Sequence, residues 1–148
     1  MGRMIVGAFS GISVTNDADQ NIWAITAGSA NKIKIHGFEL YSASIVAEIL
    51  KLELRRESTA AAGTAVTEEN LDEDDTAPTA TMITLDISPG TPDGILAAYQ
   101  WEQLGPLIFL PTPEIQPVVQ EGGRIVLNLN SVLGATTLMS GHVYWEEL

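Results

Sequence analysis

The sequence predicts an all-β fold: one antiparallel β-sandwich or barrel of about eight strands. Three observations lead there. Several segments place apolar residues at every second position, Gly- and Pro-rich turns separate those segments, and no segment carries a helical stripe that outcompetes the alternation. A single domain follows from size, because 148 residues with 45% hydrophobic content can bury about 70% of the unfolded surface around one core. No repeat period is visible, which argues against a propeller or solenoid.

In chain order, residues 1–15 alternate weakly and carry Gly2, Gly7 and Gly11, so they read as an extended N-terminal arm outside the core. Asn16–Asp17–Ala18–Asp19 is turn-like, and Asn21–Ala27 holds Ile22, Trp23 and Ile25 in a short strand pattern ended by Gly28–Ser29. The stretch from Lys32 to Arg56 is the strongest. Ile33 and Ile35 face one way, but after Gly37 the apolar residues are Phe38 and Leu40, so the phase slips and one extra residue is needed near His36–Gly37. After Ser42–Ala43–Ser44, Leu50, Leu52 and Leu54 alternate with Lys51, Glu53 and Arg55. Val46, Leu50 and Leu54 would also suit a helix, yet that stripe leaves Leu52 out, and the alternation favours a strand.

Residues 57–79 turn to Ala, Thr, Gly, Asp and Glu, with Glu68, Glu69, Asp72, Glu73, Asp74 and Asp75 inside eight positions. This predicts a long, exposed acidic loop. Strand character returns at Met82–Ile87, followed by the compound turn Ser88–Gly94 and a segment whose Ile95, Ala97, Tyr99 and Trp101 share a face. Leu107–Leu110 is a short apolar run stopped by Pro111, Pro113 and Pro117. In the next segment Ile125, Leu127 and Leu129 point inward while Arg124, Val126, Asn128 and Asn130 point outward. The last places Met139, Val143 and Trp145 inward and His142, Tyr144 and Glu146 outward.

Charge and composition narrow the function classes. Seven Lys and Arg against nineteen Asp and Glu give a net charge of -12, which argues against nucleic acid or an anionic membrane as partner. With no cysteine, the chain has no disulfide, thiolate zinc site or cysteine nucleophile. The apolar run near Met1–Phe9 is too short for a signal peptide and no stretch spans a membrane, so synthesis in the cytoplasm as a soluble protein is expected. His36 and His142 are the only histidines, too few for the imidazole cluster of a cupin-type metal site. No Gly-x-Ser-x-Gly elbow is present, and the acidic loop lacks the spacing of a helix–loop–helix calcium site. The expectation is a protein that is no enzyme and takes no cofactor or metal.

The order of features resembles the small jelly-roll decoration, or cement, proteins that tailed bacteriophages carry on the outside of their heads. The likeness lies in a strand ending Leu54–Arg55–Arg56, the loop Gly63–Thr64–Ala65–Val66–Thr67 with Leu71–Asp72, the stretch Ala77–Pro78–Thr79–Ala80, and the closing pair Gly122–Gly123–Arg124–Ile125–Val126–Leu127 and Ser140–Gly141–His142–Val143–Tyr144–Trp145–Glu146–Glu147. It covers residues 20–148 and implies jelly-roll topology for residues 16–148, a structural role on the virion exterior, the major capsid protein as partner, a homotrimer, and no catalytic residues. Within that reading the arm supplies the capsid-contact candidates Arg3, Met4, Ile5, Val6 and Phe9, and it would be dispensable for folding. Val126, His142 and Tyr144 are the subunit-interface candidates. Two other classes fit the residues: a virion head or tail module binding host-surface glycan, and a non-viral trimeric ligand of the tumour-necrosis-factor type.

Overall fold

The computed structural model describes residues 2–16, 19–58 and 62–148. Met1 of the expected arm, Asp17 and Ala18 of the expected turn, and residues 59–61 of the expected acidic loop lie outside the described residues. The strands are β1 (Arg3–Val14), β2 (Gln20–Thr26), β3 (Ile33–Ser42), β4 (Ile49–Glu57), β5 (Thr64–Val66), β6 (Glu68–Asn70), β7 (Thr81–Asp86), β8 (Pro92–Glu102), β9 (Leu107–Phe109), β10 (Val118–Val119), β11 (Arg124–Leu129) and β12 (Thr137–Glu147). Four of these, β5, β6, β9 and β10, have only two or three residues. They are too short to leave an alternating signature, which is why the sequence predicts fewer strands.

Two antiparallel sheets pack face to face as a β-sandwich. One runs β10-β3-β12-β1-β6, with β9 also on β3, and the other runs β5-β7-β2-β11-β4-β8. The pairing is nested: β1 lies beside β12, β2 beside β11, β3 beside β9 and β10, and β4 beside β8, with β5 to β7 inserted between β4 and β8.

The core follows from the alternation. Ile33 and Ile35, then Phe38 and Leu40, are fully buried, and the phase slip between them is a bulge. Ile35 pairs with Trp145 and Gly37 with Tyr144, leaving His36 as the extra residue. β4 buries Leu50, Leu52 and Leu54, and β11 and β12 bury Ile125, Leu127, Leu129, Met139, Val143 and Trp145. Trp23 meets Phe38 edge-on across the sandwich, with centroids 5.5 Å apart. Each such side chain contributes about 1.5–3 kcal/mol on burial.

Two expectations fail. The N-terminal segment is no arm: β1 sits between β12 and β6 and buries Ile5, Phe9 and Val14 in the core. Its glycines hid it. Gly7 faces the core where a Cβ would lie 2.2 Å from the Met82 sulfur, and Gly11, at φ +62°, makes the bulge between Phe9 and Ile12. The stretch 57–79 is likewise not one loop. Glu57 ends β4 and is buried, β5 pairs with β7, and β6 pairs with β1.

Tyr99 reaches from β8 to the ring of Phe38, at 6.2 Å and 89°, and its hydroxyl is buried without a partner among the described residues. Burial pushes the phenol up to about 12 from 10.0. A folded-state value above the unfolded one gives stability that is present below pH 10.0 and lost as pH rises toward about 12. Tyr99→Phe is therefore expected to hold stability near neutrality within about 1 kcal/mol, and to lose less than the parent between urea titrations at pH about 9 and about 11. Equal alkaline losses in the two proteins would refute this.

Candidate functional site

The strand directions give the sandwich two unlike ends. The connections 43–48, 103–106 and 130–136 follow β3, β8 and β11 at one end, while the insertion carrying the acids lies beside the first residues of β1 at the other. At the first end Ile45 is 93% exposed, and Val46, Ile49, Leu104, Val132 and Leu138 are exposed as well. Six large aliphatic side chains in water at one end form the kind of patch that marks a contact surface.

The loops bearing them are tied to one another. The Gln103 side-chain amide donates to the Val46 carbonyl at 3.2 Å and to the Glu48 carboxylate at 3.1 Å, the Glu48 amide donates to Glu102 at 3.1 Å, and Gly134 N donates to Glu48 at 2.9 Å. The two acids of these loops, Glu48 and Glu102, are thus engaged with backbone amides. The aliphatic end is preorganised, which lowers the cost of ordering it on a partner.

At the far end Glu69, Asp72, Glu73 and Asp74 are exposed and Glu68 and Asp75 half-buried, as expected for mutually repelling acids. Arg3 fastens this insertion. It donates to the Thr76 carbonyl at 3.1 Å and to the Ala77 carbonyl at 3.0 Å, and it pairs with the buried Glu147. Glu147 in turn accepts from Thr79 N at 2.7 Å and Ala80 N at 2.6 Å. Arg3 is therefore a brace within the fold, not a free contact group.

The remaining capsid-contact candidates divide by strand parity. Ile5 and Phe9 belong to the core, whereas Met4 and Val6 lie half-buried on the outer face of the first sheet, opposite Glu146 and Tyr144. There they meet two of the subunit-interface candidates. His142 and Tyr144 stack edge to face at 4.8 Å, and His142 lies 3.7 Å from Glu39. Glu39 also accepts from the Tyr41 hydroxyl, which holds that phenol above its ordinary value. Along the same face His36 contacts Glu146 at 3.2 Å. The two histidines thus form separate pairs.

Val126 does not join this surface. It points outward from the second sheet as the alternation predicts, yet it is 0% exposed. The reason is topological. β7 ends beside Asn21 of β2 and β8 begins beside Glu57 of β4, with β11 between, so residues 87–91 must cross the outside of β2, β11 and β4. Beneath that crossing lies a buried polar cluster. Arg55 donates to Glu57 at 3.0 and 3.2 Å, Asn21 donates to Glu57 at 3.1 Å and Asp86 at 3.2 Å, and Gly90 N of the crossing donates to Glu57 at 3.1 Å.

Among the described residues, no three His, Asp or Glu side chains converge as a metal ion would require, and no helix is long and apolar enough to cross a membrane. No protein-family model, curated protein or solved structure matches the chain. Sequence reasoning missed the aliphatic end, although a signal was there: Ile45–Val46 follows the small residues Ser42–Ala43–Ser44, outside the alternation that begins at Ile49. Apolar residues in a turn, off the period of the next strand, have no core to enter.

Proposed function

We propose that the chain is a structural virion protein, a decoration or cement protein on the exterior of a tailed-phage head, with the major capsid protein as its partner. The observation that carries this reading is the separation of a preorganised aliphatic end from an acidic one. An end-on contact with a shell buries the first and leaves the second in water, where its charge keeps decorated particles apart. The nested pairing of first strand with last, second with second-last and so inward supports a jelly roll, the topology that the resemblance implies.

The outer face bearing Met4, Val6, His142 and Tyr144 is the surface through which copies would meet as a homotrimer. Three copies present three aliphatic ends to the shell at once, and weak contacts then gain from effective concentration.

Co-sedimentation with undecorated capsids tests the docking end. Ile45→Asp with Ile49→Asp places two charges on exposed positions and is expected to weaken capsid binding by at least about tenfold, since each buried aliphatic anchor is worth about 1.5 kcal/mol or more. Light scattering should give the same trimeric mass for parent and variant. Undiminished binding would refute the docking end, and a monomeric parent would refute the trimer.

A further inference from the structure

We propose that the aliphatic end takes a lysine side chain of its partner into the cleft between residues 43–48 and 134–138, with the ammonium on the Glu48 carboxylate. The inference rests on the reading of this end as a docking surface and names what the partner brings to it. Two adjoining cavities, of about 330 and about 230 Å³, make the cleft and share Ser44, Val46, Ala135 and Thr137 as walls. The larger opens among the side chains of Ile45, Val46 and Leu138, and the other ends on Glu48 and Gln103.

Charge selects the occupant. Within 43–48, 103–106 and 130–136 the charged residue is Glu48, and these connections hold no lysine, arginine or histidine. Its two oxygens are held by neutral groups, Gly134 N on one and the Gln103 amide on the other, and among the described residues no cation pairs with it. Glu102, at the end of β8, accepts from Glu48 N at 3.1 Å and adds a second negative charge beside the first. A half-buried carboxylate against apolar walls is stabilised by an opposite charge, and this chain supplies none there. The carboxylate is also reachable. A Cβ built on Gly134 would lie 3.7 Å from both of its oxygens and meet nothing nearer.

Lysine lays its four-carbon stem along apolar surface while its head stays on a polar group. That matches aliphatic walls of Val46, Ala135 and Leu138 leading to a single carboxylate. Arginine fits less well. Gly134 N and Gln103 already hold both oxygens, in competition with the parallel pair of bonds that a guanidinium makes, whereas an ammonium needs only one approach.

The probe is n-butylammonium, the lysine side chain without its backbone, followed through the amide signals of Val46, Gly134 and Ala135 in NMR spectra at constant ionic strength. It is expected to shift them saturably and to bind at least about fivefold more tightly than 1-butanol or ammonium ion alone, because stem and charge act together. Gly134 is outside the left-handed region, so Gly134→Ala should keep the circular dichroism unchanged while its methyl group stands in front of both Glu48 oxygens. The variant is expected to bind butylammonium about fivefold more weakly and undecorated capsids about tenfold more weakly, the loss of one charge-assisted contact. Absence of a saturable shift, or equal binding of 1-butanol, would overturn the proposal. Capsid binding lost in Ile45→Asp with Ile49→Asp but kept in Gly134→Ala would overturn the lysine anchor and leave the docking end standing. Binding kept by both variants would overturn both.

Discussion

Removal of residues 1–14 is expected to leave a chain that does not fold. β1 lies between β12 and β6 and holds ten register positions against β12, from Arg3 opposite Glu147 to Val14 opposite Thr137. Its loss takes Ile5, Phe9 and Val14 from the core, about 1.5–3 kcal/mol each and so about 5–9 kcal/mol together. The whole stability of a domain this size is about 5–15 kcal/mol. The deletion also bares the hydrogen-bonding edge of β12 and the face of Trp145, and it removes the Arg3 brace on Glu147. Circular dichroism and a urea titration of the truncated protein check this. A soluble, cooperatively unfolding product rich in strand would show that β1 is an accessory after all.

The fold was legible wherever burial alternates along the chain. The slip from Ile33 and Ile35 to Phe38 and Leu40 placed the His36–Gly37 bulge, and the parity of Leu52 decided strand against helix in β4. β1 obeys the same rule, with Ile5, Gly7 and Phe9 inward, but glycine at the middle position breaks the pattern. Its lack of a side chain reads as looseness, whereas here it makes room for Met82 and Trp145. Val126 and Asn128 show the other limit. Alternation tells which face a side chain takes but not what covers that face, and here the cover is a connection whose path depends on β7 and β8 lying on opposite sides of three strands. Of the expected interface residues, Met4, Val6, His142 and Tyr144 share a surface because parity places them there. Arg3, Ile5, Phe9 and Val126 do not, because each is already engaged in the fold.

Arg55→Met is expected to cost about 3–5 kcal/mol, the loss typical when one partner of a buried ion pair is removed. Arg55 faces three carboxylates, Glu57 at 3.0 Å, Glu53 at 3.4 Å and Asp19 at 3.6 Å. Glu57 is buried to 3% exposure, and its second oxygen is held by Asn21 and by Gly90 N of the crossing. Without the guanidinium, Glu57 is left with the neutral donors Asn21 and Gly90 N, and Asp86 with Asn21 and Ser88 N. The crossing over β11 would lose the carboxylate that pins it. Combining Arg55→Met with Glu57→Gln removes the charge along with its partner. It keeps an oxygen to accept from Asn21 and Gly90, so the double variant should recover to within about 2 kcal/mol of the parent. Urea titrations of parent, single and double variants at neutral pH measure both terms. A single variant losing less than about 1 kcal/mol, or a double variant less stable than the single, would show that the cluster is solvated and that the crossing is held by other contacts.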